Sequence, residues 1–335
     1  MGRREFMIAG AAGMAAYSTS VQAQPKVAMP PAFRGMMPIL ATPVDAEYKV
    51  DLASLRREID YCVQCGAAAI GHFAYASEFQ KISDSDRSRM TDVAVEHIAG
   101  RVPFYAGVTG KTSSDTLRYA KEAAAKGADL IMCSLPYETK TNQEETLTLF
   151  KEMAQEAPVP IIIQDTPQTA DVFTPEFVVK LVEATGQIHS FKAESDDFLT
   201  KTADLLNVFE GKLQVIGGAG GKHLIHLLRL GVTAFMTGTE PLELHAEAVQ
   251  SFLDGDEENA ASTYFNRILP YLMFYGSVNW LRNLKWMLHA RGIIDTPNMC
   301  QPEDDVPAPF GPVVMREFEW TLNRIGWRKR WPDIV

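Results

Sequence analysis

Cysteine is scarce, with four in 335 residues, at positions 62, 65, 133 and 300. That number excludes a disulfide scaffold and leaves the fold to its apolar core. Basic runs are almost missing too: Arg328-Lys329-Arg330 stands by itself, and the formal net charge is −10. Neither a nucleic acid nor an anionic membrane surface is therefore an electrostatically favoured partner. After the first 23 residues no window offers 18 uncharged apolar residues, which excludes a later membrane-spanning helix. No Gly-x-Gly-x-x-Gly follows the first apolar run, so the dinucleotide-binding fingerprint is absent. What is present is 46% hydrophobic and 22% charged residues. That balance excludes disorder, collagen-like arrays and coiled coils, and over this length it assures a sizeable core.

Residues 1–23 read MGRREFMIAGAAGMAAYSTSVQA. Arg3 and Arg4, an uncharged stretch from Phe6 to Ala16 and the small-residue end at Ala23 predict an export signal, removed to leave a periplasmic protein. The paired arginines favour the twin-arginine route over the Sec route. Residues 24–34 are expected to be a linker. Cys62-x-x-Cys65 lies in a helical pattern with no second ligand pair nearby, so it reads as two buried helix thiols and not as a zinc or redox pair.

From residue 35 onward, short apolar runs alternate with amphipathic stretches. The runs are 35–44, 67–74, 103–110, 128–137, 159–165, 188–194, 213–220 and 232–238. Helix starts are marked at Ser113-Ser114-Asp115 and at Thr174 followed by Pro175, and Gly66, Gly127 and Gly186 mark helix ends. Eight strand-then-helix units predict an α/β fold, a (β/α)8 barrel over 35–255 with a helical C-terminal extension over 256–335. Chemistry in such a barrel gathers at the C-terminal ends of the strands.

The sixth run, Ile188-His189-Ser190-Phe191-Lys192-Ala193-Glu194, carries a lysine inside an apolar strand. Alternation puts Ile188, Ser190 and Lys192 on one face. If that face is the barrel interior, desolvation favours the neutral amine, which can attack a ketone and form a Schiff base. The plainer alternative is a lysine reaching a carboxylate, with Glu194 close in sequence.

Most of residues 35–300 resembles the dihydrodipicolinate synthase / N-acetylneuraminate lyase family of Schiff-base barrels. The matching pieces are Ala76-Ser77-Glu78, AGVTGKTSSDTL, LPYETKTNQEE, Gln164-Asp165-Thr166-Pro167 and FKAE. The resemblance implies that Lys192 forms the imine with a 2-oxo acid, without metal or organic cofactor. The spacing of 28 residues from Gln164 to Lys192 fits it as well. Three positions depart from the family. The threonine-rich loop after strand two is Ala74-Tyr75-Ala76-Ser77-Glu78 here, with the glutamate kept. Gln164 stands where the family usually has a proton-relaying tyrosine, and an amide cannot relay a proton as a phenol does. Tyr137 is followed by Glu138 instead of a second tyrosine.

These altered pieces, with Asp84-Ser85-Asp86-Arg87 and RGIID, resemble the branch containing L-2-keto-3-deoxyarabonate dehydratase. The implied catalytic residues are Lys192 and Tyr137. Ala76, Ser77, Gln164, Asp165 and Gly217 are the expected substrate contacts, and Asp165, Glu194 and Glu78 are possible acid/base groups, each with an alternative as an ordinary ion-pair partner. Gly217 opens a glycine-rich loop that allows close approach of a carboxylate. His223 and His226 lack a third ligand in sight and predict no metal site. The expected activity is a lyase, a dehydratase or aldolase of a 2-keto-3-deoxy sugar acid, in a homo-oligomer (dimer or tetramer). The other class of reading is an exported, non-catalytic barrel that binds such acids.

Overall fold

The computed structural model describes residues 27–275, 279–305 and 311–326; the export signal expected over 1–23 lies outside them. Eight parallel strands alternate with eight helices. They are β1 (Gly35–Met36), α1 (Leu52–Gln64), β2 (Ile70–His72), α2 (Asp84–Ile98), β3 (Phe104–Gly107), α3 (Ser113–Lys126), β4 (Leu130–Cys133) and α4 (Gln143–Glu156). There follow β5 (Ile161–Gln164), α5 (Pro175–Thr185), β6 (Ile188–Ala193), α6 (Phe198–Phe209), β7 (Gln214–Gly217), α7 (Leu224–Arg229), β8 (Ala234–Phe235) and α8 (Leu242–Leu253). Strands pair in the order β1-β8-β7-β6-β5-β4-β3-β2. The remaining seam closes through the β1 extension, where Leu40 N donates to Gly71 O and Gly71 N to Pro38 O, each at 2.8 Å. A closed sheet has no edge. The (β/α)8 barrel with C-terminal helices is therefore the observed fold.

Local chemistry explains the element boundaries. Thr112 caps α3 by accepting from Asp115 N, and Thr174 caps α5 with Pro175 at its first position. Gly127 and Gly186 end those helices in the left-handed region, at φ 97° and 63°. β3 and β4 are apolar and buried throughout, as expected for a parallel sheet covered on its outer face by helices. Part of the expected linker is docked. The Phe33 backbone exchanges hydrogen bonds with the Gln214 side chain at 2.9 and 2.7 Å, and its ring meets His189 edge-on. This closes the end of the barrel opposite the strand tips.

The C-terminal extension continues with α9 (Glu257–Thr263), a π-turn over Tyr264–Ile268, α10 (Leu269–Tyr275), α11 (Trp280–Ala290) and α12 (Gly311–Arg324). Two ion pairs tie it to the barrel, the first buried on both sides and the second on the arginine side. Lys285 of α11 meets Glu78 at 2.6 Å, both almost fully buried, and Arg291 pairs with Glu243 of α8. Arg291 also donates to Glu240 O at 2.8 Å. Removing one partner of such a pair leaves a buried charge and costs several kcal/mol, so α11 is held firmly against the strand tips. Among the described residues no helix is long and apolar enough to cross a membrane.

Candidate active site

A cleft of about 500 Å³ opens at the C-terminal ends of the strands, a size that suits a small-molecule ligand. Lys192 of β6 and Gln164 of β5 form one wall, and their backbones pair directly in the sheet. Phe191 points outward against Phe173, 6.4 Å between ring centres. Alternation therefore turns Lys192 into the cleft, where 3% of its side chain is exposed.

The lysine is not unpartnered. Its Nζ lies 2.6 Å from Glu194 Oε2. That carboxylate oxygen also accepts from Gln164 Nε2 at 3.0 Å, while Oε1 accepts from Ala219 N at 2.9 Å. Glu194 is thus fixed by β5, β6 and the loop after β7 together. Gly218 makes room for it: a Cβ there would stand 2.4 Å from Glu194 Cγ, so residue 218 has to be glycine for the carboxylate to sit where it does. The two placements considered for this lysine coincide, since Lys192 faces the lumen and also meets Glu194.

The loop after β2 supplies the opposite wall through Tyr75 and Ala76. Ser77 does not reach the cleft. Its hydroxyl donates to Leu40 O at 2.6 Å and accepts from the backbone N–H of Phe73 and Ala74. It pins a tight turn in which Phe73 and Glu78 sit at φ 66° and 52°, a conformation that costs non-glycine residues energy and needs such support. Ser77 therefore shapes the loop, which corrects its expected place among the substrate contacts.

Three further expectations are corrected. Tyr137 packs edge-on against Phe79, 5.5 Å between centroids, and Phe79 against Tyr75 at 5.3 Å; Phe79 thus leaves Tyr137 one ring removed from the cleft. Asp165 turns away from the lumen and meets Lys201 of α6 at 3.0 Å, both buried, with Thr169 donating to it. Burial pushes the Asp165 carboxyl up, against the pull of Ser195 and Lys201. Gly217 lies in the wall, facing Phe235 and Leu227, and its loop reaches the cleft through Ala219, Gly220 and Lys222 instead. Ala76, Gln164 and Lys192 line the cleft.

Of the carboxylates considered for acid/base work, Glu78 is engaged by Lys285 and by Cys300 N, leaving Glu194 in the cleft. His223 and His226 sit 6.1 Å apart, ring to ring, and among the described residues no group of three or more His, Cys, Asp or Glu could hold a metal ion. Cys62 is buried and Cys65 partly so, and burial pushes both thiols up, Cys65 to about 12. Such thiols are poor nucleophiles and poor ligands.

Sequence reasoning missed Tyr75, Thr237 and Trp280 as lining residues. Tyr75 adjoins a flagged residue and was legible. Trp280 comes from α11, and nothing in its local pattern says that this helix covers the strand tips.

The profile of the Dihydrodipicolinate synthetase family matches residues 32–308. An L-2-keto-3-deoxyarabonate dehydratase of Azospirillum brasilense is 25% identical over 281 residues, covering 82% of this chain and 90% of that protein. A 4-hydroxy-tetrahydrodipicolinate synthase of Methylibium petroleiphilum is 27% identical over 270 residues, covering 77% and 88%. Among solved structures, the chloride-inhibited dihydrodipicolinate synthase of Acinetobacter baumannii complexed with pyruvate superposes with a TM-score of 0.79 at 20% identity, over 88% of this chain and 99% of that one. That likeness speaks for the fold.

Proposed function

Because the chain belongs to the dihydrodipicolinate synthetase family, whose members are lyases or aldolases, we propose that it is a lyase forming a Schiff base between Lys192 and a 2-oxo acid. We read its substrate as a 2-keto-3-deoxy sugar acid and its reaction as dehydration. The observation that carries this is the Lys192 ammonium facing the cleft in contact with the Glu194 carboxylate. The dehydratase of Azospirillum brasilense and the synthases are similarly close relatives. The choice between them rests on Gln164, which lacks a transferable phenolic proton, and on the loop after β2, which lacks the threonine pair. The comparisons lend no support to a non-catalytic barrel, since the relatives described above are enzymes by name.

The chemistry follows from the contacts. Glu194 takes a proton from the Lys192 ammonium, and the free amine attacks C2 of the oxo acid. Loss of water gives an iminium ion. Glu194, once free of that proton, removes one from C3, and the C–H electron pair becomes the C2=C3 bond of an enamine. The enamine then expels the C4 hydroxyl, forming C3=C4 and restoring the iminium, which water hydrolyses to release the product. Gln164 holds Glu194 in place through its amide. No metal or organic cofactor enters these steps. We place the working protein in the periplasm as a homo-oligomer acting on this small molecule.

Borohydride trapping tests the reading. Incubation with a 2-oxo acid and reductant should add the reduced acid to Lys192, seen by intact mass and peptide mapping. The Lys192→Ala protein should give no adduct. A wild-type protein that traps no 2-oxo acid of a broad panel ends the Schiff-base assignment.

A further inference from the structure

Eliminating a C4 hydroxyl calls for an acid as well as a base, because hydroxide is a poor leaving group at neutral pH. In the cycle above Glu194 holds the C3 proton and Lys192 is tied up in the imine. Gln164 has no acidic proton. The Thr237 hydroxyl is given to Gly238 O at 2.8 Å, and the Thr166 hydroxyl lies 3.3 Å from that of Thr169. Two groups lining the cleft remain, Tyr75 and Lys222, both exposed at its mouth.

Tyr75 and Tyr137 differ from the other described tyrosines, and of the two only Tyr75 lines the cleft. Tyr61, Tyr105, Tyr119 and Tyr271 each give the hydroxyl to a protein acceptor. The Tyr75 side chain lines the cleft, and its hydroxyl is given to no acceptor among the described residues. Its ring is steadied edge-on by Phe79 and its turn is pinned by Ser77. Counting around the closed barrel, β2 and β6 are four strands apart, so Tyr75 and Lys192 face each other across the lumen. A substrate fixed at C2 by Lys192 extends its C4 end across that gap. Burial, with the Glu194 charge near by, holds the Tyr75 phenol above its ordinary value, so it carries its proton at neutral pH.

We propose that Tyr75 is the catalytic acid of the dehydration, donating its phenolic proton to the departing C4 hydroxyl. This rests on the Schiff-base reading above. The Tyr75 O–H bond breaks as the C4–O bond breaks, and water leaves. The enamine pair becomes the C3=C4 bond, the nitrogen returns to an iminium, and the phenolate recovers a proton from solvent at the open mouth, where 37% of the residue is exposed.

The test uses the full chain with L-2-keto-3-deoxyarabonate and related 2-keto-3-deoxy acids, and the variants Tyr75→Phe and Lys222→Met. Three readouts are taken: the borohydride adduct, exchange of C3 hydrogen with deuterium oxide, and water loss. Tyr75→Phe should keep the adduct and the exchange, keep the thermal midpoint, and lose water about 10²- to 10⁴-fold more slowly. Lys222→Met, which removes a cleft-lining cation and can change substrate binding, should keep the wild-type ratio of water loss to C3 exchange. Dehydration by Tyr75→Phe near the wild-type rate overturns the proposal. So does loss of adduct and exchange together in that variant, or a fall of that ratio in Lys222→Met comparable to the fall in Tyr75→Phe. A wild type that forms the adduct but dehydrates no acid of the panel overturns the proposal and leaves the imine standing; a wild type without adduct overturns both.

Discussion

Glu194 Oε2 sits 2.6 Å from Lys192 Nζ and 3.0 Å from Gln164 Nε2, so a single oxygen joins the proposed nucleophile to the amide on the neighbouring strand. The contact to Lys192 needs a negative charge, and the contact to Gln164 needs only an acceptor. Glu194→Gln separates them. It keeps an oxygen for the amide but removes the proton acceptor, so turnover should fall about 10²- to 10⁴-fold with the fold retained. Lys192→Arg should fail more completely, because a guanidinium stays protonated and cannot attack a ketone. Steady-state kinetics with circular dichroism as the folding control checks both. Near-wild-type turnover in Glu194→Gln would remove the carboxylate from the proton path.

Asp165 makes the opposite prediction. Its pair with Lys201 is buried on both sides, although Asp197 at 3.8 Å offers Lys201 some compensation. Asp165→Ala should destabilise by about 3–5 kcal/mol, while protein that remains folded at low temperature keeps its kcat. Denaturant melts beside activity assays separate the two effects. A dead enzyme of unchanged stability would return Asp165 to the substrate contacts.

Stability should also fall in alkali, because two carboxyls are buried with little to hold their charge. Glu58 is pushed up to about 8 by burial, which outweighs hydrogen bonds from Thr239 and Ala41 and the pull of Lys285, with Glu240 adding repulsion. Glu240 is pushed up to about 7 by burial, against the hydrogen bond from Tyr271. A carboxyl whose folded value is raised binds more protons in the native state. Its stabilising effect is complete below the ordinary value of 4.5 and fades as pH rises through about 7 for Glu240 and about 8 for Glu58. The melting temperature of the wild type should therefore drop between pH 6 and 9. In Glu58→Gln, whose amide imitates the protonated acid, the drop should be smaller. An equal slope in both proteins would show that Glu58 is ionised throughout.

The barrel was legible because each of its eight units carries an apolar run, and some add a capped start such as Thr174-Pro175 or a glycine stop such as Gly186. Lys192 was legible because a lysine in an apolar strand is chemically conspicuous. Side chains whose direction is set by distant neighbours were not legible. Asp165 follows Gln164 immediately, yet alternation and Lys201, 36 residues on, turn it out of the lumen. Tyr137 stops short because Phe79 lies between it and the cleft. Glu78 belongs to the C-terminal extension through Lys285, a contact across more than 200 residues that no local pattern announces.

Location is tested at the other end of the chain. A twin-arginine signal is read through its two guanidinium groups, whereas a Sec signal needs positive charge alone. Arg3→Lys with Arg4→Lys keeps that charge and removes the guanidinium groups. If export follows the twin-arginine route, the double variant should stay in the cytoplasm as an uncleaved precursor about 23 residues longer than the exported form. It should be folded there, since the four cysteines are free and the barrel needs no oxidising compartment to form. Cell fractionation with N-terminal sequencing reads the outcome. Unchanged delivery of the double variant would mean Sec export, and an intact N-terminus on the wild type would mean that residues 1–23 are no cleaved signal.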